Sequence, residues 1–222
     1  MKKNLPQPLF REAVADYQYL LERKYPKKAV LKMIGDRYLL SGVERTILFR
    51  GITTADNARE RHAKIINDIS EQHLLIDGYN VLITIGSYLN GNLTFISNDG
   101  FLRDSSETHG KIMRTGLLER ALDLMLNFIQ AQKPATIKLF FDAPVSNSKK
   151  FSDFVNQKLL TQAINGSSEV VDSPDFVLKN ASEGICCTSD SEIIDSSCLQ
   201  SFDLAQSTLA YNFHTNFFEV IV

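Results

Sequence analysis

The sequence predicts an α/β protein: a mostly parallel sheet with helices on both faces, preceded by a small all-helical module. From residue 73 onward, short apolar runs typical of buried strands alternate with stretches of helical periodicity. This alternation indicates parallel strands joined by helical crossovers. Before residue 54 the periodicity is helical, and a chain of 222 residues with 44% hydrophobic content has room for a large domain with a small appendage. We therefore predict a helical module at 1–53, a connecting helix at 54–72 and an α/β domain at 73–222.

The N-terminal module is expected to contain three helices. Residues 9–24 carry apolar side chains at three- and four-residue spacing, the pattern of an amphipathic helix. Pro26 is well placed to open a second helix, and Gly35 to end it. The run Ser41-Gly42-Val43-Glu44 has the capping-box pattern that starts a third helix. This arrangement resembles a helix-turn-helix unit, although two short helices joined by a turn are more often plain packing units.

Strands and helices alternate through the rest of the chain. The strand candidates are 73–85, 136–141, 168–172, 184–188 and 217–222, and the helix candidates are 111–132, 147–164, 174–181 and 191–200. Between the first strand and the next helix, Asn98-Asp99-Gly100 separates two apolar runs. An Asp-Gly pair in that setting predicts a β-hairpin, which we expect beside the first strand.

The charge of the chain is unevenly distributed. Residues 1–50 contain 11 Lys and Arg against 5 Asp and Glu, whereas residues 51–222 contain 13 against 21. The asymmetry suggests an anionic partner for the module and cation binding by the acidic domain, although two solvated surfaces of different charge are an equally simple interpretation.

The sequence also favours some protein classes and argues against others. No apolar run reaches the ~20 residues that span a bilayer, so no membrane partner is expected. Three cysteines without a disulfide framework and a start without a secretory signal favour a cytoplasmic protein. A homo-oligomer is compatible with the sequence. The chain has neither Gly-x-Gly-x-x-Gly nor Gly-Lys-Ser/Thr, which argues against dinucleotide-binding and P-loop enzymes.

Three aspartates follow predicted strands directly. Asp77 ends the run His73-Leu74-Leu75-Ile76, Asp142 ends 137–141, and Asp190 follows 184–189. The carboxyl ends of parallel strands meet at one edge of a sheet, where ligands of α/β proteins bind. Like charges brought together there favour a cation, and oxygen-only ligands favour Mg²⁺ or Mn²⁺ over zinc. Each aspartate also has a simpler interpretation, as the cap of a turn or of the following helix.

Further polar residues surround these acids in the predicted fold. Asn80 offers a neutral ligand or a hydrogen bond to phosphate, and the helix start at Ser146, Asn147 and Ser148 is a potential phosphate site. We include Asp104, His109 and Asp195 as accessory candidates. The alternatives are a helix cap for Asp104 and a structural role for His109.

The motifs Leu75-Ile76-Asp77-Gly78-Tyr79-Asn80-Val81-Leu82, Asp142-Ala143-Pro144-Val145-Ser146-Asn147-Ser148 and Ser189-Asp190-Ser191 resemble the PIN-like/NYN nuclease superfamily. More closely, the chain resembles an uncharacterised prokaryotic family of that kind, and residues 25–51 resemble its N-terminal domain of unknown function. The resemblance implies a Rossmann-like sheet and clustered metal-binding acids at Asp77, Asp142 and Asp190. An early-helix acid of many PIN domains has no unambiguous match, since Asp104, Glu107 and Glu119 compete.

We therefore predict a metal-dependent nuclease that hydrolyses phosphodiester bonds in RNA. The alternative is a non-catalytic nucleic-acid-binding or regulatory protein on a PIN-like fold. A phosphatase of the haloacid-dehalogenase type is disfavoured, because Tyr79 stands where its second acid is expected.

Overall fold

The computed structural model of the chain describes residues 9–106 and 116–220. Four helices come first: α1 Phe10–Glu22, α2 Lys27–Arg37, α3 Gly42–Gly51 and α4 Ala55–His62. The central elements are β1 His73–Asp77, α5 Gly78–Leu89, β2 Thr94–Ile96, β3 Leu102–Asp104, α6 Leu117–Gln132, β4 Thr136–Asp142 and α7 Ser148–Thr161. The last are β5 Gly166–Val171, α8 Pro174–Asn180, β6 Ile185–Cys187, α9 Ser191–Ser196, α10 Leu204–Phe213 and β7 Phe218–Glu219.

The main sheet has the strand order β5-β4-β1-β6, and all three of its pairings are parallel. Successive side chains of a strand point to opposite faces, and the core follows that rule. In β4, Ile137, Leu139 and Phe141 join the large core formed with α5, α6, α7 and α10, whereas Phe140 joins a smaller core with α8 and α9. Helices thus cover both faces, and the predicted α/β architecture is confirmed.

The N-terminal helices pack around a core of their own. The predicted capping box is present at the start of α3, where Ser41 and Glu44 bond reciprocally to each other's backbone amides. The core of the module is not closed by these helices alone, because Leu93, Phe95 and Val220 belong to the same apolar cluster. The helical module therefore shares its core with β2 and with residues next to β2 and β7.

Those strands form a second sheet in the order β3-β2-β7. The predicted hairpin is present, with β2 and β3 antiparallel and Gly100 at a φ of +90° in its turn. Its predicted position beside the first strand is wrong, because β1 lies between β4 and β6. The hairpin lies instead on the helical module, since Phe95 of β2 is fully buried in the core of that module.

Two predicted elements are shorter than expected by eight residues or more. The strand predicted at 73–85 ends at Asp77, whose carboxylate caps α5. Gly78 lets the start of α5 pack closely against β4, since a Cβ would overlap the ring of Phe141 and lie 2.8 Å from the carbonyl oxygen of Phe140. The connecting helix predicted at 54–72 ends at His62. The chain beyond it forms a parallel bridge between Ile65 and Ser201 instead of continuing the helix.

Two helices were not expected from the sequence. One is α5, which occupies Gly78–Leu89, where the first strand was predicted to continue to residue 85; the other is α10. In α10, Leu204, Ala205, Thr208 and Leu209 are all buried, so a polar residue shares the buried face and weakens the amphipathic pattern. Asp203 caps the helix through the Gln206 amide and also accepts a bond from the Leu102 amide. Burial raises the pKa of the Asp203 carboxyl to about 6.

Candidate active site at the carboxyl edge of the sheet

Asp77 is the most deeply buried acid at the carboxyl edge of the main sheet, with 6% of its surface exposed. Its carboxylate accepts a 3.0 Å bond from the Thr188 hydroxyl and a longer bond from the Asn80 amide at the start of α5. Burial raises the pKa of Asp77. The two hydrogen bonds lower this pKa, whereas the charges of Asp175 and Asp190 raise it, and the result is a pKa of about 7. Near neutral pH this carboxyl is therefore close to its titration midpoint, as expected of a group that exchanges protons or receives a cation.

Asp142 ends the neighbouring strand, two positions after Phe140, and strand alternation places both on the face covered by α8. Its pKa is raised by partial burial and then by the charge of Asp175. Asp175 lies in the first turn of α8, a helix capped by the Ser173 hydroxyl. The negative charge of Asp175 raises the pKa of both Asp77 and Asp142.

Asp175 was not among the residues predicted from the sequence. The available signal was local: Ser173-Pro174-Asp175 is a helix start directly after a strand. Its nearest cation is the Lys179 ammonium, 3.9 Å away, a distance at which a half-exposed pair contributes little.

Asp190 caps α9, its carboxylate accepting a 2.7 Å bond from the Glu192 amide. Its own amide donates to the Thr188 hydroxyl, the same hydroxyl that donates to Asp77. The simpler interpretation of Asp190, a helix cap, is thus correct. The cap also keeps the Asp190 charge close enough to raise the pKa of Asp77.

The four acids suit a hard divalent cation by their chemistry, since carboxylate oxygens are the ligands that Mg²⁺ prefers. Their side-chain positions are not those of a closed metal centre. Across residues 9–106 and 116–220, no three Asp, Glu, His or Cys side chains lie close enough together to hold an ion. The acids are nevertheless coupled electrostatically: Asp190 raises the pKa of Asp77, and Asp175 raises the pKa of both Asp77 and Asp142.

Asn80 lies in the first turn of α5, and its side chain has a fixed orientation. The carboxamide oxygen accepts bonds from the Ser189 amide at 2.9 Å and from the Ser189 hydroxyl at 3.1 Å. This leaves the NH₂ group, which has two donors, without a partner among the described residues. Asn80 lines a cleft that also contains Asp190.

The predicted phosphate-binding segment is divided by the structure. Ser146 and Asn147 are exposed, and Asn147 precedes α7 in the left-handed conformation without capping it. Ser148 is buried, and its hydroxyl bonds to the carbonyl oxygens of Asp142 and Val145 and to the Tyr79 hydroxyl. Ser148 thus holds the end of β4, whereas its two neighbours remain accessible to a ligand.

The accessory candidates that the structure describes lie in ion pairs between elements. Asp104 accepts bonds from Arg50 of α3 and from the Ser87 hydroxyl of α5. Both carboxylate oxygens of Asp195 accept 2.7 Å bonds from Arg61 of α4. His109 lies outside the described residues, as does Glu107.

A family model described as a domain of unknown function (DUF5616) matches residues 66–207. The chain belongs to the DUF5616 family. A second model, described as a protein of unknown function (DUF434), matches residues 9–64. The predicted resemblance to an uncharacterised family with an N-terminal domain of unknown function is thereby confirmed, and the boundary between the two matches falls inside the segment 54–72.

An uncharacterized protein of Methanocaldococcus jannaschii is similar to this DUF5616 member. It is 28% identical over 187 residues, which cover 83% of this chain and 88% of the relative. No solved structure was found to match the chain. None of the helices in the described ranges is both long and apolar enough to cross a membrane.

Proposed function

We propose that this DUF5616 member is a metal-dependent nuclease on a PIN-like fold that hydrolyses phosphodiester bonds in RNA. The observation that supports the proposal is the set of four coupled acids, Asp77, Asp142, Asp175 and Asp190, at the carboxyl edge of a parallel sheet. Two of them have a raised pKa, and ligands of open α/β sheets bind at this edge. The unpaired cysteines suit a reducing cytoplasm.

Asp142 and Asp175, which are more exposed than Asp77, are the residues best placed to receive Mg²⁺ or Mn²⁺ from solvent, with Asp77 behind them. A bound ion would supply charge stabilisation at the phosphate and a water of lowered pKa. The Thr188 hydroxyl and the Asn80 amide hold the Asp77 carboxylate in place. The free NH₂ of Asn80 would donate to a phosphate oxygen.

Cleavage of a labelled single-stranded oligoribonucleotide in Mn²⁺ and in EDTA tests the proposal. Asp142→Asn and Asp175→Asn should each lower the rate by more than about 100-fold, because even outer-shell partners of a metal contribute about 10- to 100-fold. Asp172→Asn is the matched control. Asp172 follows β5 at the same edge, is exposed and has no partner among the described residues, so its loss should leave the rate unchanged.

Thermal melting with Mn²⁺ gives a second readout that does not depend on turnover. An ion that binds the native state raises the melting temperature, and the two active-site variants should lose most of that gain while Asp172→Asn keeps it. Cleavage that persists in EDTA, or equal effects of all three variants, would contradict the proposal. RNA binding without cleavage under any metal condition would favour the non-catalytic alternative.

A further inference from the structure

A cleft of about 260 Å³ separates the N-terminal module from the α/β domain. One wall carries Lys27 and Phe49 of the module, and the other carries Asn80 of α5 together with Asp190 at the start of α9. The cleft therefore joins the basic module to the acidic edge of the sheet.

Four cationic residues line this cleft, and three of them are neutralised by carboxylates. Arg50 pairs with Asp104, Arg103 pairs with Asp99, and Arg61 pairs with both Asp99 and Asp195. Burial raises the pKa of Asp99, but the charges and hydrogen bonds of Arg103 and Arg61 outweigh that effect and lower the pKa to about 2. The Arg50–Asp104 pair joins the module to the α/β domain, Arg61 joins α4 to Asp99 and Asp195, and the Arg103–Asp99 pair lies within the hairpin. All three arginines therefore leave little charge for a ligand.

Lys27 is the fourth cation, and it has neither a salt bridge nor a hydrogen bond within the described ranges. Its ammonium lies over the ring of Phe49, 4.6 Å from the centroid. The residue as a whole is exposed, but desolvation of its ammonium end, and then the charges of Arg103 and Arg61, lower its pKa to about 8, against the opposing effects of Asp99 and Asp195. Because the three arginines are paired with carboxylates and Lys27 is not, Lys27 is the cation of this cleft that is left to attract an anion.

Asn80 contributes an oriented neutral donor to the same cleft. Because its carbonyl oxygen is occupied by Ser189, the NH₂ group is the part left for a ligand. A phosphate accepts hydrogen bonds from both donors, ammonium and carboxamide, without needing a donor of its own.

We propose that the cleft binds a phosphodiester group of a single RNA strand between Lys27 and Asn80, and so leads the strand to the carboxyl edge. The ligand class rests on the proposed function, whereas the anion site rests on the cleft itself. A single strand fits better than a duplex, because the phosphates of a duplex lie on a convex surface that cannot enter a cleft of this size. Asp190, on the same cleft, is where the strand would meet the acids.

Equilibrium binding of a fluorescent single-stranded oligoribonucleotide in EDTA tests this site without turnover. Lys27→Gln should weaken binding by about 10-fold or more and reduce the slope of log K against log salt by about 0.7, the value for one phosphate contact on a single strand. Lys28→Gln is the matched control: it removes the next lysine along the same helix, which does not line the cleft, and its effect should be much smaller. Unaltered melting temperatures would show that both variants fold.

The pH dependence separates a phosphate contact from a structural role. An anion favours the charged ammonium, so the affinity of the parent should fall as pH rises through about 8, the pKa of free Lys27. Lys27→Arg should bind RNA at pH 7 and lose that dependence, because arginine keeps its charge. Arg61, Arg103, Asp99 and Asp195, the charged groups around Lys27, are unchanged in this variant.

Equal binding by Lys27→Gln and Lys28→Gln, or a parent that binds no RNA in EDTA, would overturn the inference. The proposed function can fail separately. If the parent cleaves RNA in Mn²⁺ while Lys27→Gln binds like the parent, the nuclease stands and this site does not. If Lys27 governs binding while no metal supports cleavage, the site stands and the nuclease does not.

Discussion

At the scale of single residues, Asp77 is the side chain whose energetics conflict most with its position. Burying a carboxylate disfavours the charged form, and its two hydrogen bonds do not offset that penalty, so its pKa stays raised to about 7. A buried carboxylate with a purely structural role usually has enough hydrogen bonds or ion pairs to offset the cost of its burial. A charge that destabilises the fold at neutral pH is therefore consistent with a functional role.

Asp77→Asn should make the free protein more stable at pH 8 and less dependent on pH. The folded-state pKa of Asp77 lies above its unfolded value, so its stability contribution is complete below pH 4 and is lost as pH rises to about 7. The gain at pH 8 is at most about 4 kcal/mol, since one pKa unit corresponds to about 1.4 kcal/mol.

Urea unfolding of parent and variant at pH 4 and pH 8, without metal, measures this difference. The variant should also lose cleavage and most of the melting-temperature gain from Mn²⁺. A variant that is less stable than the parent at both pH values would identify Asp77 as a structural cap of α5.

The residue scale also marks how far the sequence could predict the site. Asp77, Asp142 and Asp190 were visible because each follows an apolar run, and strand ends meet at one edge. Asp175 was missed because its place depends on how α8 crosses the sheet, which local sequence does not encode. The arginine partners of Asp104 and Asp195 were missed for a similar reason, since they are separated by 54 and 134 residues.

At the scale of elements, the β4–α7 turn is held by one hydroxyl. Ser148 bonds to two carbonyl oxygens at the end of β4 and to the Tyr79 hydroxyl of α5. Tyr79 packs edge-on against Phe141 of β4, with ring centroids 5.0 Å apart. The position of Asp142 therefore depends on a connection between β4 and the two helices α5 and α7.

Ser148→Ala should destabilise the protein by about 1–3 kcal/mol, because it leaves the buried Tyr79 hydroxyl without that partner. Ser146→Ala, an exposed neighbour in the same turn, should change the free energy of unfolding by less than about 0.5 kcal/mol. Chemical unfolding of both variants provides the comparison. Equal small effects would mean that the hydroxyl network does not hold this turn.

Elements with a clear local signal were predicted well. The three helices of the module, the capping box of α3 and the hairpin turn are all present, although α2 continues past Gly35 to Arg37. The errors lie where tertiary contacts decide the outcome: the hairpin joins the module through Phe95, and α10 buries a threonine among its apolar residues.

At the scale of the whole molecule, the module and the α/β domain are joined by apolar packing and by ion pairs. Phe95 of β2 is fully buried in the core of the module. Arg50 of the module pairs with Asp104, and Arg61 of α4, in the segment that connects the two parts, pairs with Asp99 and Asp195. The basic and acidic parts of the sequence are thus not independent units.

Phe95→Ala should therefore lower the stability of the module, although residue 95 lies outside it in sequence. Truncation of a buried phenylalanine costs about 3–5 kcal/mol, and hydrogen exchange of amides in α1–α3 should accelerate together with those of the second sheet. Phe176→Ala, at a position that is 69% exposed, is the control and should change neither the stability nor the hydrogen exchange of α1–α3. If Phe95→Ala accelerates exchange only in β2 and β3, the module is stable by itself.

The position of β7 near the end of the chain affects when the first helices can fold during synthesis. Val220, directly after this strand, packs among residues of the first helices. Domains near the start of a chain commonly fold while the rest is still being made. Here the first helices have to wait for a residue that is translated some 170 positions after the end of α3. Until then Phe10, Val14 and Ile47 lack part of their cover, and we expect a chaperone that holds apolar helices to bind the nascent chain during that interval.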